Sequence, residues 1–242
     1  MSRIIVAYDG TPQAEDALTL GVSLSNLTGF ALGIAHVHRA DPRLRAPSAS
    51  GPGREAFLER QSEALLERAV DSLPAGSPEV STHALAGSTT ATALRSFAER
   101  EGVEVIVFGS AHNGPSGRVH PGSAARRLLH SASCAIAVAP EGLRNAGPAK
   151  PTQIAYASDD ERGSARTSAE ALAAAAGAKV AEGADQGAEL LLVGSRPGGP
   201  QGQVTTAASS ERIVQASTSP VLVLAYGEPL HLAGAAVGSQ AA

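Results

Sequence analysis

Short apolar runs alternate with segments of helical periodicity over the first 140 residues, and this alternation restricts the possible folds more than any other property of the chain. Residues 4–8, 31–37, 80–85, 103–108 and 134–138 have strand length, and 4–8 and 103–108 are almost unbroken apolar runs. Such runs suit strands buried on both faces. Between them lie four segments with helical spacing. In the first, Ala14, Ala17, Leu18, Gly21 and Leu24 recur between Thr11-Pro12 and Gly29. Thr11 is placed to cap that helix, with Pro12 at its first position. The others cover 55–72, with Phe57, Leu65, Leu66 and Val70 on the apolar face, then 91–101 and 123–130. Alternation of this kind predicts an α/β fold, a doubly wound five-stranded parallel sheet with helices on both faces. Ligands of such sheets bind beyond the carboxyl ends of the strands, where the winding reverses. Asp9, Val37 and Gly109 stand at three of these ends.

The pattern then starts again. Ile154-Ala155-Tyr156-Ala157 echoes the first strand, 167–176 echoes the first helix, and 189–195 echoes 104–110. Residues 210–216 and 220–224 echo the last helix and strand. The sequence therefore reads as a domain over 1–143, a linker over 144–151, a truncated second copy over 152–227 and a flexible tail over 228–242. Asp9 precedes Gly109 by 100 positions, whereas Asp159 precedes Gly194 by only 35. The shortfall corresponds to two strands and one or two helices. A unit so reduced has little core of its own and is expected to lean on the first half.

Composition narrows the function classes. The 242 residues are 43% hydrophobic and 17% charged, with a net charge of −4. This predicts a packed chain and argues against a nucleic-acid partner, which calls for a basic excess. No apolar run approaches the ~18–20 residues of a membrane span. The start of the chain runs directly into a strand, leaving no room for a secretory leader, so a cytoplasmic location is expected. A single cysteine, Cys134, excludes an internal disulfide and reads as an inert buried thiol. His36 and His38 bracket Val37 without a supporting carboxylate cluster and read as a sheet-end and a loop histidine; no metal site is expected. Residues 39–53, rich in Pro, Ser, Gly and Arg, read as a mobile loop.

The segment 109–123 carries most of the chemical information. It leaves a buried strand, contains Gly109, Gly114, Gly117 and Gly122, and enters a helix at Ser123. Glycines let a backbone approach a ligand closely, and the first turn of a helix offers N–H groups to an anion. Ser123 can cap the helix or meet a phosphate, and Arg118 and the loop histidines can add positive charge. No nucleophile–base pair is readable, so the chain reads as a binding module, capable at most of slow catalysis.

These features resemble the universal stress protein family. Its loop runs glycine, two residues, glycine, nine residues, glycine and a hydroxyl residue. Here Gly109, His112 and Gly122-Ser123 fall in that register, with His112 in place of the second glycine and Gly114 nearby. Val6-Ala7-Tyr8-Asp9-Gly10-Thr11, Ala35-His36-Val37 and Arg126-Arg127-Leu128-Leu129-His130 match as well. The resemblance covers about 3–140 and is patchy over 152–226. It implies an adenine-nucleotide alpha-hydrolase-like fold and one bound ATP, with or without magnesium, or another adenine nucleotide per chain. It implies a site built from Ala7, Asp9, Val37, Gly109, Ser110, His112, Gly114, Gly122 and Ser123. Asp9 would face the ribose or adenine side, Val37 the adenine through its backbone, and Gly109, Ser110, Gly122 and Ser123 the phosphates. It also implies pairing of the last strands, either between the two halves of this chain or in a homodimer. The alternative is a nucleotide-free scaffold or dimerisation protein of the same fold. In the second half Pro197 and Ala207-Ala208 replace the motif positions, and no nucleotide is expected there.

Overall fold

The computed structural model describes residues 3–39, 53–158, 160–184 and 187–232. In chain order its elements are β1 (Ile4–Ala7), α1 (Pro12–Thr28), β2 (Leu32–Arg39), α2 (Gly53–Asp71), β3 (Val80–Gly87), α3 (Thr90–Glu101), β4 (Val105–Gly109), α4 (Ser123–Leu128) and β5 (Ala135–Ala139). After a 3-10 turn at Leu143–Asn145 come β6 (Gln153–Ala157), α5 (Ser164–Ala176), β7 (Lys179–Glu182), β8 (Leu190–Val193), α6 (Ala208–Ala216) and β9 (Val221–Val223). All the strands belong to one sheet, in the order β3-β2-β1-β4-β5-β9-β8-β6-β7. Neighbours are parallel except β5 and β9, which run antiparallel with Ile136 opposite Val223 and Val138 opposite Val221.

The local signals act as the sequence predicts. The Thr11 hydroxyl accepts the Ala14 N–H at 3.3 Å with Pro12 in the first turn, and Gly29 closes α1 in the left-handed conformation. Alternation along the strands then sorts the core. Ile4, Val6, Val105 and Val107 pack with Leu18 of α1 and Leu66 of α2 on one face. Ile5, Ile106, Phe108 and Ile136 pack with Leu94 of α3 and Leu128 of α4 on the other. Both layers continue across the β5–β9 seam. Ile154, Leu172, Leu192 and Leu222 belong to the first, and Leu191, Val193, Val214 and Val223 to the second.

The two halves repeat one another in their bonding. The buried Ser110 hydroxyl donates to the Ala139 carbonyl at 2.7 Å, lies 3.2 Å from the Arg118 carbonyl, and accepts the His120 N–H at 3.0 Å. Ser195 does the same with Leu224, Gln203 and Thr205, at the same separations of 29, 8 and 10 residues. Across the seam the bonding is reciprocal. The Val119 N–H donates to the Ser217 carbonyl at 2.9 Å, and the Val204 N–H to the Ala132 carbonyl at 2.7 Å.

Several details depart from the sequence reading. Strand β2 continues to Arg39, because its pairing with β3 persists to Arg39 opposite Gly87. His36 and His38 therefore lie on one face of a strand, but each has its own partner: the Tyr8 carbonyl at 2.8 Å and the Ser62 hydroxyl at 3.3 Å. On α2 the buried positions are Ser62, Leu66 and Ala69, while Phe57 and Val70 face solvent; the helix is rotated from its expected register. The short edge strand β7 was not foreseen, so the second half lacks counterparts of α2, β3 and α3: one strand and two helices. The start of the expected tail is docked, since Leu230 is buried and its N–H donates to Ser168 Oγ at 2.9 Å. Most of the loop expected over 39–53, Asp159 and the rest of the tail lie outside the described residues.

A buried carboxylate anchors the segment after the last strand in each half. Asp16, fully buried, accepts the Gly142 and Arg144 N–H groups at 2.9 and 2.8 Å and pairs with the Arg144 guanidinium at 2.8 Å. Asp160 accepts the N–H groups of Gly227, Arg162 and Ser164 at 3.0, 3.0 and 3.1 Å. Replacing Asp16 by Ala strands three donors and should cost about 3 kcal/mol, seen as a melting temperature lower by roughly 6–12 °C. A further tight contact lies where β4 ends: a Cβ on Gly109 would stand 1.9 Å from the Gln13 carbonyl oxygen of α1. Gly109→Ala should therefore destabilise by about 3 kcal/mol in denaturant titrations, and Gly122→Ala, whose Cβ would meet only Ala111 at 3.8 Å, by far less. For Asp160, burial pushes the carboxyl upward, but the three amide bonds outweigh it and hold the group below its ordinary value. The stability this supplies is complete above the unfolded value of about 3.9 and is lost as pH falls through the lower folded value. The stability gap between wild type and Asp160→Asn should thus be flat from about pH 7 to 5 and shrink below about pH 4.

Candidate functional site

Winding reverses between β1 and β4: the chain moves outward from β1 through β2 to β3, then returns to place β4 on the other side. At the carboxyl ends of β1, β2 and β4 this leaves a cleft of about 330 Å³. Ala7, Asp9, Val37, Gly109, Ser110, His112, Gly122 and Ser123 all line it. Of the nine site residues that the family resemblance implies, only Gly114 does not. It sits in the loop beyond, where a Cβ would collide with His120 at 2.5 Å, so its smallness serves the folding of the loop on itself.

The lining residues are held by different means. Asp9 folds the turn after β1, its Oδ1 accepting the Thr11 N–H at 3.1 Å and the Thr11 hydroxyl at 2.6 Å. Oδ2 makes no hydrogen bond among the described residues and stays available to a hydroxyl donor. Tyr8 is buried beside it, its hydroxyl donating to Glu15. Burial, then the Glu15 carboxylate, push the phenol far above its ordinary range, so it remains protonated. His36 donates from Nδ1 to the Tyr8 carbonyl, because a carbonyl oxygen can only accept. His112 Nδ1 makes a long 3.5 Å contact with the Gln13 side-chain nitrogen.

At the α4 end the geometry corrects the expected capping. Gly122, in extended conformation with φ −71°, is the cap residue, and Ser123 is the first residue of the helix. No side chain caps α4, so its first N–H groups are left to solvent or to a ligand. The helix has six residues, shorter than the expected 123–130. Ser110 lines the cleft, but its hydroxyl is consumed by the network described above. Gly109 is glycine because α1 packs against it. Arg118 does not line the cleft. Sequence reasoning missed Gln13, Thr90 and Phe108, which the topology alone brings to the cleft. Cys134 is buried among apolar neighbours, and burial pushes its thiol up to about 12. It has no part in this chemistry.

In the second half the corresponding loop is occupied by the chain itself. Glu161 accepts the Gly198 N–H at 3.3 Å and the Tyr226 hydroxyl at 2.5 Å. Arg162 lies over the Tyr226 ring, 5.9 Å from its centroid. No helix among the described residues is long and apolar enough to cross a membrane.

Comparison with known proteins agrees with this architecture. The family model described as the universal stress protein family matches residues 1–140. Curated universal stress proteins of Mycobacterium tuberculosis and Mycobacterium bovis are 30% identical over 148 residues, covering 58% of this chain and 49% of theirs. The chain thus spans about half the length of these relatives. Among solved structures, a universal stress protein from Archaeoglobus fulgidus superposes with a TM-score of 0.67 at 14% identity, covering 93% of this chain and 96% of that one. A functionally unknown protein from Pseudomonas aeruginosa PAO1 superposes at 0.57 with 16% identity, covering 93% and 92%. At such identities these two likenesses speak for the fold. With the family pattern matching more than half of its length, the chain belongs to the universal stress protein family.

Proposed function

We propose that this chain binds one ATP or another adenine nucleotide, with or without magnesium, in the cleft between β1, β2 and β4, and acts as a stress-response sensor or binding module. The observation that carries the reading is convergence: eight residues chosen from three distant sequence segments line one cleft at the point where the winding reverses. In this reading Asp9 receives a ribose hydroxyl through its open oxygen, Ala7 and the Val37 backbone border the adenine, and Gly122 and Ser123 present the start of α4 to phosphate. His112 stands where the family loop has glycine and flanks the phosphate path. Gly109 and Ser110 act indirectly, by fixing the loop. The same reading treats 1–143 as the nucleotide domain, 144–151 as the linker and 152–227 as a reduced copy. The repeated serine network supports the copy. The second half would bind no nucleotide, its loop amide at Gly198 being taken by Glu161.

A specific observation favours a second reading, a nucleotide-free scaffold. The Ser110 network recurs at Ser195, beside a loop that lacks the motif, so the network forms without any need of a ligand. Titration calorimetry separates the two. Nucleotide binding predicts a saturable ATP isotherm of one site per chain, weakened at least about tenfold by Asp9→Ala. Absence of heat and of any thermal shift with ATP, ADP and AMP removes the nucleotide reading and leaves the scaffold.

A further inference from the structure

The sheet ends in two edges that are built differently, β3 at one side and β7 at the other. The β7 edge has four residues and carries Lys179 and Glu182, a short, charged rim of the kind that discourages further strands. The β3 edge is twice as long: Val80–Gly87 has eight residues, with no lysine, arginine, carboxylate or proline among them. Its pairing with β2 is unbroken from Val80 opposite Leu32 to Gly87 opposite Arg39, so no bulge bends it away. None of its residues is buried, and among the described residues no strand lies on its outer side. Such an edge offers a row of free N–H and C=O groups to another strand.

The side chains around this edge favour one partner, the same edge of a second copy. His83 stacks on Phe97 of α3 with ring centres 4.7 Å apart, and it lies opposite Ala35, so the odd-numbered residues of β2 and β3 face α3. Glu79, just before β3, lines a cavity with His83 and Phe97 on this face, and Arg39 ends β2 on it. Both are exposed, and neither is in an ion pair among the described residues. Two antiparallel copies of β3, related by a two-fold axis through His83, set Glu79 of each opposite Gly87 of the other. The next strand inward at that level ends in Arg39. Glutamate and arginine are then two strands apart, about 10 Å between backbones, with no side chain between them. That gap is fixed, since a Cβ on Gly87 would stand 2.6 Å from the Cβ of Ala93 in α3. Symmetry makes the ion pair twice. At the axis, burial holds His83 below its ordinary value, so the two imidazoles meet uncharged at neutral pH. Helices α2 and α3 each pack over β2 and β3, so their copies follow two strands further on, again about 10 Å away, an ordinary distance for packed helices.

We propose that β3 is a homodimerisation edge: two copies of this chain pair β3 with β3 about His83, each Glu79 held by Arg39 of the other copy. The last strands, already joined to each other within the chain, are not needed for it. The dimer is independent of whether the cleft holds a nucleotide.

The test is sedimentation velocity on the full chain over about 1 to 100 µM, with Glu79→Arg, Arg39→Glu and the two combined, each checked by melting curves for its fold. Wild type is expected to reach twice its 24.3 kDa mass at the upper concentrations. Each single variant sets like charges across the join and should weaken the dimer about tenfold or more, and the combined variant should recover it. Position 83 reports the register. Under mild oxidation His83→Cys should give a covalent dimer, whereas Ser81→Cys, set opposite Leu85 of the second copy, should not. Cys134 is buried and does not compete. The proposal is overturned if wild type stays at 24.3 kDa throughout, or if the dimer survives both single variants unweakened. It is equally overturned if the combined variant recovers nothing, or if His83→Cys cross-links no better than Ser81→Cys.

Discussion

The antiparallel contact between β5 and β9 is where both cores of this molecule become continuous. Three residue pairs define it, and on either side the apolar layers run through without a polar break. A four-stranded unit such as β7-β6-β8-β9, with α5 and α6 as its helices, has little interior with which to offset the entropy of ordering its chain. Sharing each layer with the larger half removes that difficulty. The reciprocal bonds from Val119 to Ser217 and from Val204 to Ala132 fix the register of the join from both sides. The loop that carries Gly122 is thereby tied to the opposite half just before it enters α4, so the cleft wall and the seam belong to one packed unit.

Most of the first half was readable because β1, β4 and β5 are apolar on both faces and α1 carries its cap where one is expected. The elements misjudged were those whose identity is set by neighbours distant in sequence. Nothing in His38-Arg39 marks a strand; the pairing with β3 creates one. Lys179-Val180-Ala181-Glu182 is short and half polar, as an exposed edge strand often is, and carries almost no periodic signal. On α2 the presence of Phe57 and Val70 drew the apolar face toward themselves, whereas the small residues Ser62 and Ala69 allow the helix to lie close to the sheet. Leu230 sits in a stretch with little periodicity, and only its bond to Ser168 and its burial reveal that it is anchored.

The candidate site was legible for a different reason: its glycines and its acid fall in a spaced pattern, and spacing survives in sequence. What each residue does was less legible. Gly109 looked like room for a ligand and proves to be room for helix α1. Ser110 looked like a phosphate donor and is a buried tie between the loop and β5.

Because β5 and β9 lie on one polypeptide, their association is a first-order event. Two separate chains meeting through their last strands would come apart on dilution, and their stability would depend on how much protein was present. Here the partner strand is held at a high effective concentration by the connecting segment, whatever the amount of protein. The halves are thus freed from having to be alike: one can keep an open cleft while the other gives up a strand and two helices and fills its own loop with Glu161.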